Sequence, residues 1–360
     1  MAQIDVLLKA LREKKGSDLH LSPGNPPLGR IGGELIPLDP NPLTAQINET
    51  FLNEIMLEHQ RKEYQESHDL DFAYSVDDLQ ARFRANVFLG RMGISAVFRL
   101  IPTQIKTVQQ LGLPETILRF CELPKGLVLV TGGTGSGKST TLAAMIDHIN
   151  RTTKDHILTI EDPIEFVHVS QKSLVNQREI GHHTNSFATA LKAALREDPD
   201  VIMVGEMRDL ETIELAITAA ETGHLVFGTL HTSSAAKTVD RIINVFPTAQ
   251  QAQIRTMLSE SLQGVISQTL LKNTMGGRVA ALEILIGTPA LSNLIREAKT
   301  FQIPGIMQTG KREGMQTMEA AVRALVDAGK ISSEEAKPFL PRPETNGSSN
   351  GARELNGVAH

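Results

Sequence analysis

Residues 132–139 read GGTGSGKS and combine closely spaced glycines with a lysine and a hydroxyl residue. The pattern G-x-x-x-x-G-K-[ST] is typical of loops that bind nucleotide phosphates. Glycines let the backbone turn its N–H groups inward, and the helix that follows offers free N–H groups and the positive end of its dipole. The spacing therefore predicts a nucleotide site, and a glycine-rich loop with an incidental lysine is the alternative.

The residues of this loop have different predicted tasks. We expect Lys138 to contact the β- and γ-phosphates, Ser139 to ligate Mg²⁺ and Thr140 to lie near the α-phosphate. The other predicted nucleotide-binding residues are Gly133, Thr134, Gly135, Ser136 and Gly137. ATP and Mg²⁺ are the cofactors that this assignment requires.

A glutamate ends a second apolar segment. Residues 198–209 read DPDVIMVGEMRD, which predicts a buried strand that stops at Gly205 and Glu206. In P-loop proteins a neighbouring strand delivers a carboxylate to the Mg²⁺ or to the attacking water. Glu206 is therefore a candidate magnesium ligand, directly or through water. A strand-end glutamate that faces solvent is the alternative.

Three acids follow another apolar segment, in residues 159–166, which read TIEDPIEF. At the carboxyl end of a parallel strand, Glu161, Asp162 and Glu165 would face the ligand crevice. Glu165 is the candidate that orients or deprotonates water. Ordinary loop charges explain the same residues equally well, so spacing alone leaves both interpretations open.

Two histidines bound the apolar segment HLVFGTLHT, His224 at its start and His231 at its end. Because they point to opposite faces of a strand, they cannot converge on one zinc ion. From spacing alone, a structural role is the usual one for such histidines. His182 and His183 follow a glycine and are interpreted as a loop pair.

Arginines cluster in two adjacent predicted strands near residue 90. Arg84 and Arg99 lie there together with Arg82 and Arg91. A solvated basic sheet face is one interpretation. The other is that these arginines reach the γ-phosphate of a neighbouring subunit, where an arginine in trans would stabilise the transition state.

The periodicity predicts two α/β domains. Residues 1–101 alternate as short strands with two amphipathic helices, which indicates an α+β domain with an antiparallel sheet. Residues 125–337 alternate buried strands with helices, which indicates a largely parallel sheet with a helical C-terminal part; residues 251–271 are predicted to be helical. An interdomain linker is predicted at 102–124 and a disordered tail at 338–360.

Composition limits the functional classes. The net charge of -5, the pI of about 6.1 and the 4% of aromatic residues argue against a nucleic-acid binder. The single cysteine, Cys121, fits a reducing cytosol and is interpreted as an inert core thiol. No signal peptide or membrane span is predicted, so we expect a cytoplasmic protein that reaches membranes through partners.

The segments GGTGSGKSTT, TIEDPIEF, DPDVIMVGEMRD and ETGHLVFGTLHT occur in this order and resemble the Walker A, aspartate box, Walker B and histidine box of the secretion ATPase superfamily. SDLHL, ARFRANVF and VFRLIP extend the similarity to residues 4–338. The chain lacks the tetracysteine segment of the assembly motors, and PALSNLIREAK is similar to the AIRNLIRE stretch of the PilT-type retraction ATPases. It differs from that stretch by Leu291 and Ser292, which leaves an accessory PilU-like subunit as an alternative.

The resemblance implies roles for individual residues. It makes Glu165 the catalytic acid/base and Glu206 the Walker B carboxylate. It makes His224 and His231 nucleotide-sensing residues, and Arg84 and Arg99 arginines that act in trans.

The resemblance also implies a homohexameric ring of subunits with a PAS-like N-terminal domain and a RecA-like C-terminal domain. Such a ring would work at the cytoplasmic face of the inner membrane on a pilus platform protein, with a PilU- or PilT-like paralogue as a possible second partner. ATP hydrolysis would change the interdomain angle at the 102–124 linker and retract the pilus, which is the basis of twitching motility. Two alternatives from other classes are a nucleotide-gated assembly switch with little turnover and a RecA-like motor on nucleic acid.

Overall fold

The computed structural model describes residues 2–79, 81–101 and 104–340 of the 360-residue chain. The N-terminal domain has six strands: β1 (Asp18–Leu21), β2 (Leu28–Ile31), β3 (Glu34–Pro37), β4 (Asp69–Val76), β5 (Ala81–Gly90) and β6 (Gly93–Ile101). Its helices are α1 (Asp5–Glu13), α2 (Ala45–Ile55) and α3 (Glu58–Ser67), with a 3₁₀ turn at Asp77–Leu79. All strand pairs are antiparallel, in the spatial order β3-β2-β1-β6-β5-β4.

Alternation along the strands gives this sheet one buried face. In β5 the side chains of Phe83, Ala85 and Val87 are fully buried, while the residues between them point to the other face. Leu8 and Leu11 of α1 belong to the same core. The opposite face carries charged residues of the sheet, including Arg84 and Arg99.

The C-terminal domain has seven strands: β7 (Gly126–Thr131), β8 (His156–Glu161), β9 (Leu174–Glu179), β10 (Val201–Val204), β11 (Leu225–Leu230), β12 (Leu262–Lys272) and β13 (Arg278–Ile286). Its α-helices are α4 (Lys138–Thr152), α5 (Phe187–Ala194), α6 (Leu210–Glu221), α7 (Ala235–Asn244), α8 (Thr248–Ser261), α9 (Pro289–Arg296), α10 (Ile303–Thr309), α11 (Met318–Asp327) and α12 (Ser333–Ala336). Short 3₁₀ helices lie at Glu115–Glu122, Thr300–Gln302, Gly310–Glu313 and Lys337–Phe339.

The strands of this sheet follow the order β13-β12-β7-β11-β10-β8-β9, and only the β12–β13 pair is antiparallel. Every residue of β7 and β11 is buried, as expected for central strands with helices on both faces. The predicted fold class is confirmed: an antiparallel α+β domain precedes a mostly parallel α/β domain with further helices at its end.

The predicted helix over residues 251–271 is wrong in its second half. Helix α8 ends at Ser261, and the chain continues as strand β12. This strand pairs in parallel with β7 and in antiparallel with β13, so tertiary pairing decides its conformation. The β-branched residues Val265, Ile266 and Thr269 suit that environment better than a helix.

Much of the predicted linker packs onto the C-terminal domain. Val108, Leu113, Ile117 and Phe120 are buried in a core shared with β7 and α4. Cys121 is buried beside them, and burial raises the pKa of its thiol to about 12, which agrees with an inert core thiol. Residues 102–103 of this linker and 341–360 of the predicted tail lie outside the described residues, so the hinge and the disordered tail stay predictions.

Among the helices that the structure describes, none combines the length and the apolar character needed to cross a bilayer.

Candidate nucleotide site

The loop between β7 and α4 forms one wall of a cavity of about 410 Å³ at the carboxyl edge of the parallel sheet. Gly135 and Gly137 take positive φ values of 73° and 89°, and α4 begins directly after Gly137. Gly132 has a φ of 145°, and a Cβ added there would lie 2.3 Å from the carbonyl oxygen of Gln268. The loop conformation therefore needs the glycines that the sequence provides.

Lys138 is buried at the start of α4. Its Nζ donates hydrogen bonds to the carbonyl oxygens of Gly132 at 2.9 Å and Gly133 at 3.1 Å. Burial lowers the pKa of Lys138, while the negative charges of Glu206 and Glu165 partly oppose that shift. The cation is thus held inside the loop with both predicted catalytic carboxylates facing it.

Glu206 follows β10 and enters the same cavity. Its Oε1 lies 2.6 Å from Nε of Arg208 and 2.9 Å from Nε2 of His231. Burial alone would raise the pKa of Glu206, but the hydrogen bonds and charges of Arg208 and His231 outweigh burial and lower it. The carboxylate is therefore ionised and able to act as a metal ligand at neutral pH.

Glu165 is exposed on the loop after β8 and lines the cavity opposite Lys138. Its backbone N–H donates to Oε2 of Glu161 at 3.2 Å. Glu161 is itself buried, and burial raises its pKa to about 7 although Thr159 Oγ1 donates to Oε1 at 2.7 Å. The two glutamates of this segment thus have different surroundings: Glu165 is solvent-accessible at the cavity, and Glu161 lies beneath it.

The cavity suits a polyphosphate with a bound Mg²⁺. The hydroxyl oxygen of Ser136 is buried in the cradle without a hydrogen-bond partner among the described residues. Ser139 supplies a hydroxyl and Glu206 a carboxylate, and Mg²⁺ prefers oxygen ligands of these kinds together with phosphates and waters. Over the described ranges 2–79, 81–101 and 104–340, no group of three or more His, Cys, Asp or Glu residues could hold a metal ion.

Comparison with known proteins identifies the family. The model of the "Type II/IV secretion system protein" family matches residues 52–337. The PilT pilus retraction ATPase of Pseudomonas aeruginosa is 56% identical over 94% of this chain and 98% of its own length. The type IV pilus ATPase PilU of the same organism is 40% identical over 93% of this chain and 87% of its own length. The chain belongs to the type II/IV secretion system protein family.

A solved structure of this secretion ATPase family supports the same assignment. The crystal structure of the pilus retraction motor PilT with bound ADP superposes with a TM-score of 0.88 at 48% sequence identity. The match covers 95% of this chain and 98% of that chain, so it includes both domains.

Most of the residues predicted to bind nucleotide lie together in this secretion ATPase. The cavity is lined by Thr134, Gly135, Ser136, Gly137, Lys138, Ser139, Thr140, Glu165, Glu206 and His231. His224 is separate, because it precedes β11 whereas His231 follows it, and its Nδ1 lies 2.9 Å from the carbonyl oxygen of Ala219. The strand between them places His224 roughly 20 Å from the cavity edge. A nucleotide-sensing role for His224 stays a prediction.

The two predicted trans-acting arginines face each other across β5 and β6 in the N-terminal domain. Arg99 Nε lies 2.8 Å from Oδ1 of Asp18, and Arg84 Nη2 lies 3.3 Å from Oδ2 of Asp71. Neither lines the nucleotide cavity of its own chain. Arg84 lines a second cavity of about 400 Å³ between the two domains. Their action on a neighbouring subunit is untested by this single chain.

Sequence reasoning missed a residue that supports the P-loop. Gln268 of β12 accepts a hydrogen bond from Thr141 Oγ1 at 2.6 Å and donates to the carbonyl oxygen of Ser136 at 2.8 Å. Because the sequence pattern predicts a helix over residues 251–271, it does not place Gln268 beside the P-loop. A β interpretation of that segment would have placed it beside the P-loop strand.

Proposed function

We propose that this chain is an ATP-hydrolysing motor subunit that powers type IV pilus retraction. One observation carries the ATPase part of the proposal: Lys138, Glu165 and Glu206 converge on one P-loop cavity from three separate elements. A cation for the phosphates, a metal ligand and a base are the groups that phosphoryl transfer to water requires.

In the proposed mechanism, backbone N–H groups of the P-loop and of the first turn of α4 receive the phosphates. Lys138 exchanges its present hydrogen bonds to loop carbonyls for the β- and γ-phosphates. Ser139 and Glu206 would hold Mg²⁺, Glu206 directly or through water. The bound ion would neutralise charge on the phosphate oxygens during transfer.

Glu165 would accept a proton from the attacking water. The water oxygen forms a bond to the γ-phosphorus while the bond from that phosphorus to the β–γ bridging oxygen breaks, which releases ADP and phosphate. Glu165 is suited to this role because its carboxylate is exposed at the cavity and faces Lys138. In the same cavity, His231 and Arg208 hold Glu206 in its ionised form.

Retraction is proposed from the relatives. The chain is similar along almost its whole length to the pilus retraction ATPase PilT, which supports a role in retraction. As the family resemblance of the sequence motifs implies, the chain would form a hexameric ring that acts on an inner-membrane platform protein from the cytoplasmic side. Arg84 and Arg99 would complete the nucleotide site of the next subunit. The accessory PilU-like role is the second candidate, because the PilU ATPase is also similar over most of the chain.

Phosphate release by the purified protein tests the ATPase. We expect Lys138→Ala and Glu165→Gln each to lower turnover by at least about 100-fold, because each removes a group that acts in the transition state. Lys311→Ala, a change of a lysine in a 3₁₀ helix remote from the cavity, is the control. ATP binding without any turnover by the unmodified chain would favour the nucleotide-gated switch instead.

Imaging of pili on cells that lack the gene tests the biological role. A surplus of unretracted fibres is expected if the chain is the main retraction motor. Normal fibre dynamics would favour the PilU-like accessory role.

A further inference from the structure

The loop that carries Glu165 is held by side chains of the neighbouring strand β9. The most connected of these is Gln177. Its Nε2 donates to the carbonyl oxygen of Phe166 at 2.9 Å and to Oε1 of Glu161 at 3.1 Å. Its Oε1 accepts the backbone N–H of His168 at 2.7 Å. One amide thus fastens the loop at two backbone positions that follow Glu165 and at the buried glutamate beneath it.

Glu179 holds the same loop on the other side of Glu165. It lies two residues after Gln177 on β9, so the two side chains point to one face of the sheet. Its carboxylate is almost completely buried, and Oε2 accepts the backbone N–H of Ile164 at 3.0 Å. Together with the bond from the Glu165 N–H to Glu161, these contacts fix the backbone immediately before, at and after Glu165.

The same oxygen of Glu179 also contacts the N-terminal domain. Arg82 of β5 donates from Nη2 to Oε2 of Glu179 at 2.6 Å, and its side chain is only 20% exposed. His182 Nε2 approaches Oε1 of the same carboxylate at 3.5 Å. Because a buried carboxylate needs a cation or several donors, Arg82 is the partner that makes the position of Glu179 favourable.

We propose that Gln177 and Glu179 are positioning residues that hold Glu165 at the P-loop, and that Glu179 joins this loop to the N-terminal domain through Arg82. The inference rests on the proposed role of Glu165. A displacement of the N-terminal domain that separates Arg82 from Glu179 would leave the carboxylate short of a partner and release Ile164. The position of the catalytic glutamate would then depend on the position of the domain.

Gln177→Met is the direct test, because methionine has nearly the same length and makes none of the three hydrogen bonds. We expect kcat for ATP hydrolysis to fall by about tenfold while KM for ATP changes less than about twofold, since the loop acts on the chemical step and the P-loop binds the nucleotide. Gln316→Met, in which a glutamine that donates to the Leu282 carbonyl is replaced, is the matched control and should keep the wild-type kcat.

A combined variant separates positioning from general damage. If Gln177 acts through Glu165, then Gln177→Met should have no further effect on kcat in a Glu165→Gln background. A loss that multiplies with that of Glu165→Gln would overturn the inference. Gln177→Leu, which likewise makes none of the three hydrogen bonds, serves as a second variant if the methionine variant does not fold; the same fall in kcat is expected.

Arg82→Met tests the link to the N-terminal domain. The same fall in kcat with little change in KM is expected, together with faster amide hydrogen exchange at residues 164–168. Arg61→Met, which changes an exposed arginine of helix α3 in the same domain, is the control. Unchanged exchange and unchanged kcat in Arg82→Met would overturn the link.

Two outcomes separate the catalytic role of Glu165 from the positioning role of Gln177. If Glu165→Gln hydrolyses ATP like the wild type, the proposed catalytic role falls and this inference falls with it. If Glu165→Gln is inactive but Gln177→Met turns over normally, only the inference is overturned.

Discussion

Individual residues of the P-loop cavity keep each other in the ionisation states that catalysis needs. Burial favours neutral Lys138, and the charges of Glu206 and Glu165 favour its cation. Arg208 and His231 in turn keep Glu206 ionised. The pKa of each of these groups depends on the charges of the others. A substitution at one position should therefore also change the ionisation of its neighbours.

Among the glycines of the P-loop, Gly132 leaves the least space for a Cβ atom. In Gly132→Ala the added Cβ would lie 2.3 Å from the Gln268 carbonyl oxygen at a φ of 145°. We expect a loss of about 2 kcal/mol or more in the free energy of unfolding, measured by denaturant titration. A Cβ at Gly133 meets nothing within 4 Å, so Gly133→Ala should unfold like the wild type. Equal stabilities would contradict this account of the loop.

Glu161 should make stability depend on pH. Burial raises its pKa from 4.5 to about 7, so the folded state binds this proton more tightly than the unfolded state. The stabilisation that comes from this tighter proton binding is fully present below the pKa that Glu161 has in the unfolded state. It is lost as pH rises through the pKa that Glu161 has in the folded state. From about pH 5 to about pH 8, the unfolding free energy of the wild type should fall by on the order of 2 kcal/mol relative to Glu161→Gln. Parallel profiles in denaturant titrations would contradict the prediction.

Among the secondary-structure elements, β12 does more than extend the sheet. It lies beside β7, and its Gln268 connects the P-loop at Ser136 to helix α4 at Thr141. The conformation of the phosphate loop therefore depends on a strand that follows it by more than a hundred residues.

Gln268→Met should weaken the binding of ATP by about tenfold, because two buried hydrogen bonds that shape the loop are lost. Calorimetric titration with a non-hydrolysable ATP analogue measures this. Thr269→Val changes the next residue, whose side chain points to the other face of the strand, and should leave the affinity unchanged. An affinity in Gln268→Met equal to that of the wild type would show that the P-loop holds its shape without β12.

At the scale of the whole molecule, a single salt bridge among the described residues joins the two domains, and it lies between Arg82 and Glu179. The charged face of the N-terminal sheet carries Arg84 and Arg99, and neither of them lines the chain's own nucleotide cavity. This arrangement suits arginines that serve a different subunit.

Mixed rings test that arrangement. Lys138→Ala and Arg99→Met subunits should each be inactive alone, whereas co-expressed rings should recover part of the wild-type ATPase rate. Recovery is expected because some interfaces combine an intact P-loop from one subunit with an intact Arg99 from its neighbour. A mixture that stays as inactive as its components would argue against action in trans, provided that mass photometry shows hexamers of about six times 39.2 kDa and that pull-down of one tagged variant recovers the other.

The local sequence alone determined the P-loop, the two carboxylate segments and the fold class. Residues 132–139 specify a phosphate loop because its glycine, lysine and serine positions are all local requirements. The buried strands around the loop can also be predicted from local sequence, because continuous apolar runs such as those of β7 and β11 indicate strands that are buried on both faces.

Tertiary structure alone decided which polar residues support the site. Gln177 lies on β9, a mostly polar edge strand whose sequence shows no strand pattern, and Gln268 lies in a segment predicted as helix. Their importance comes from hydrogen bonds to residues nine or more positions away, which only the pairing of strands brings within reach. Hydrophobic periodicity predicts which face of a helix or strand is buried. It does not predict which residues a buried side-chain amide contacts, because those contacts depend on how the strands pair.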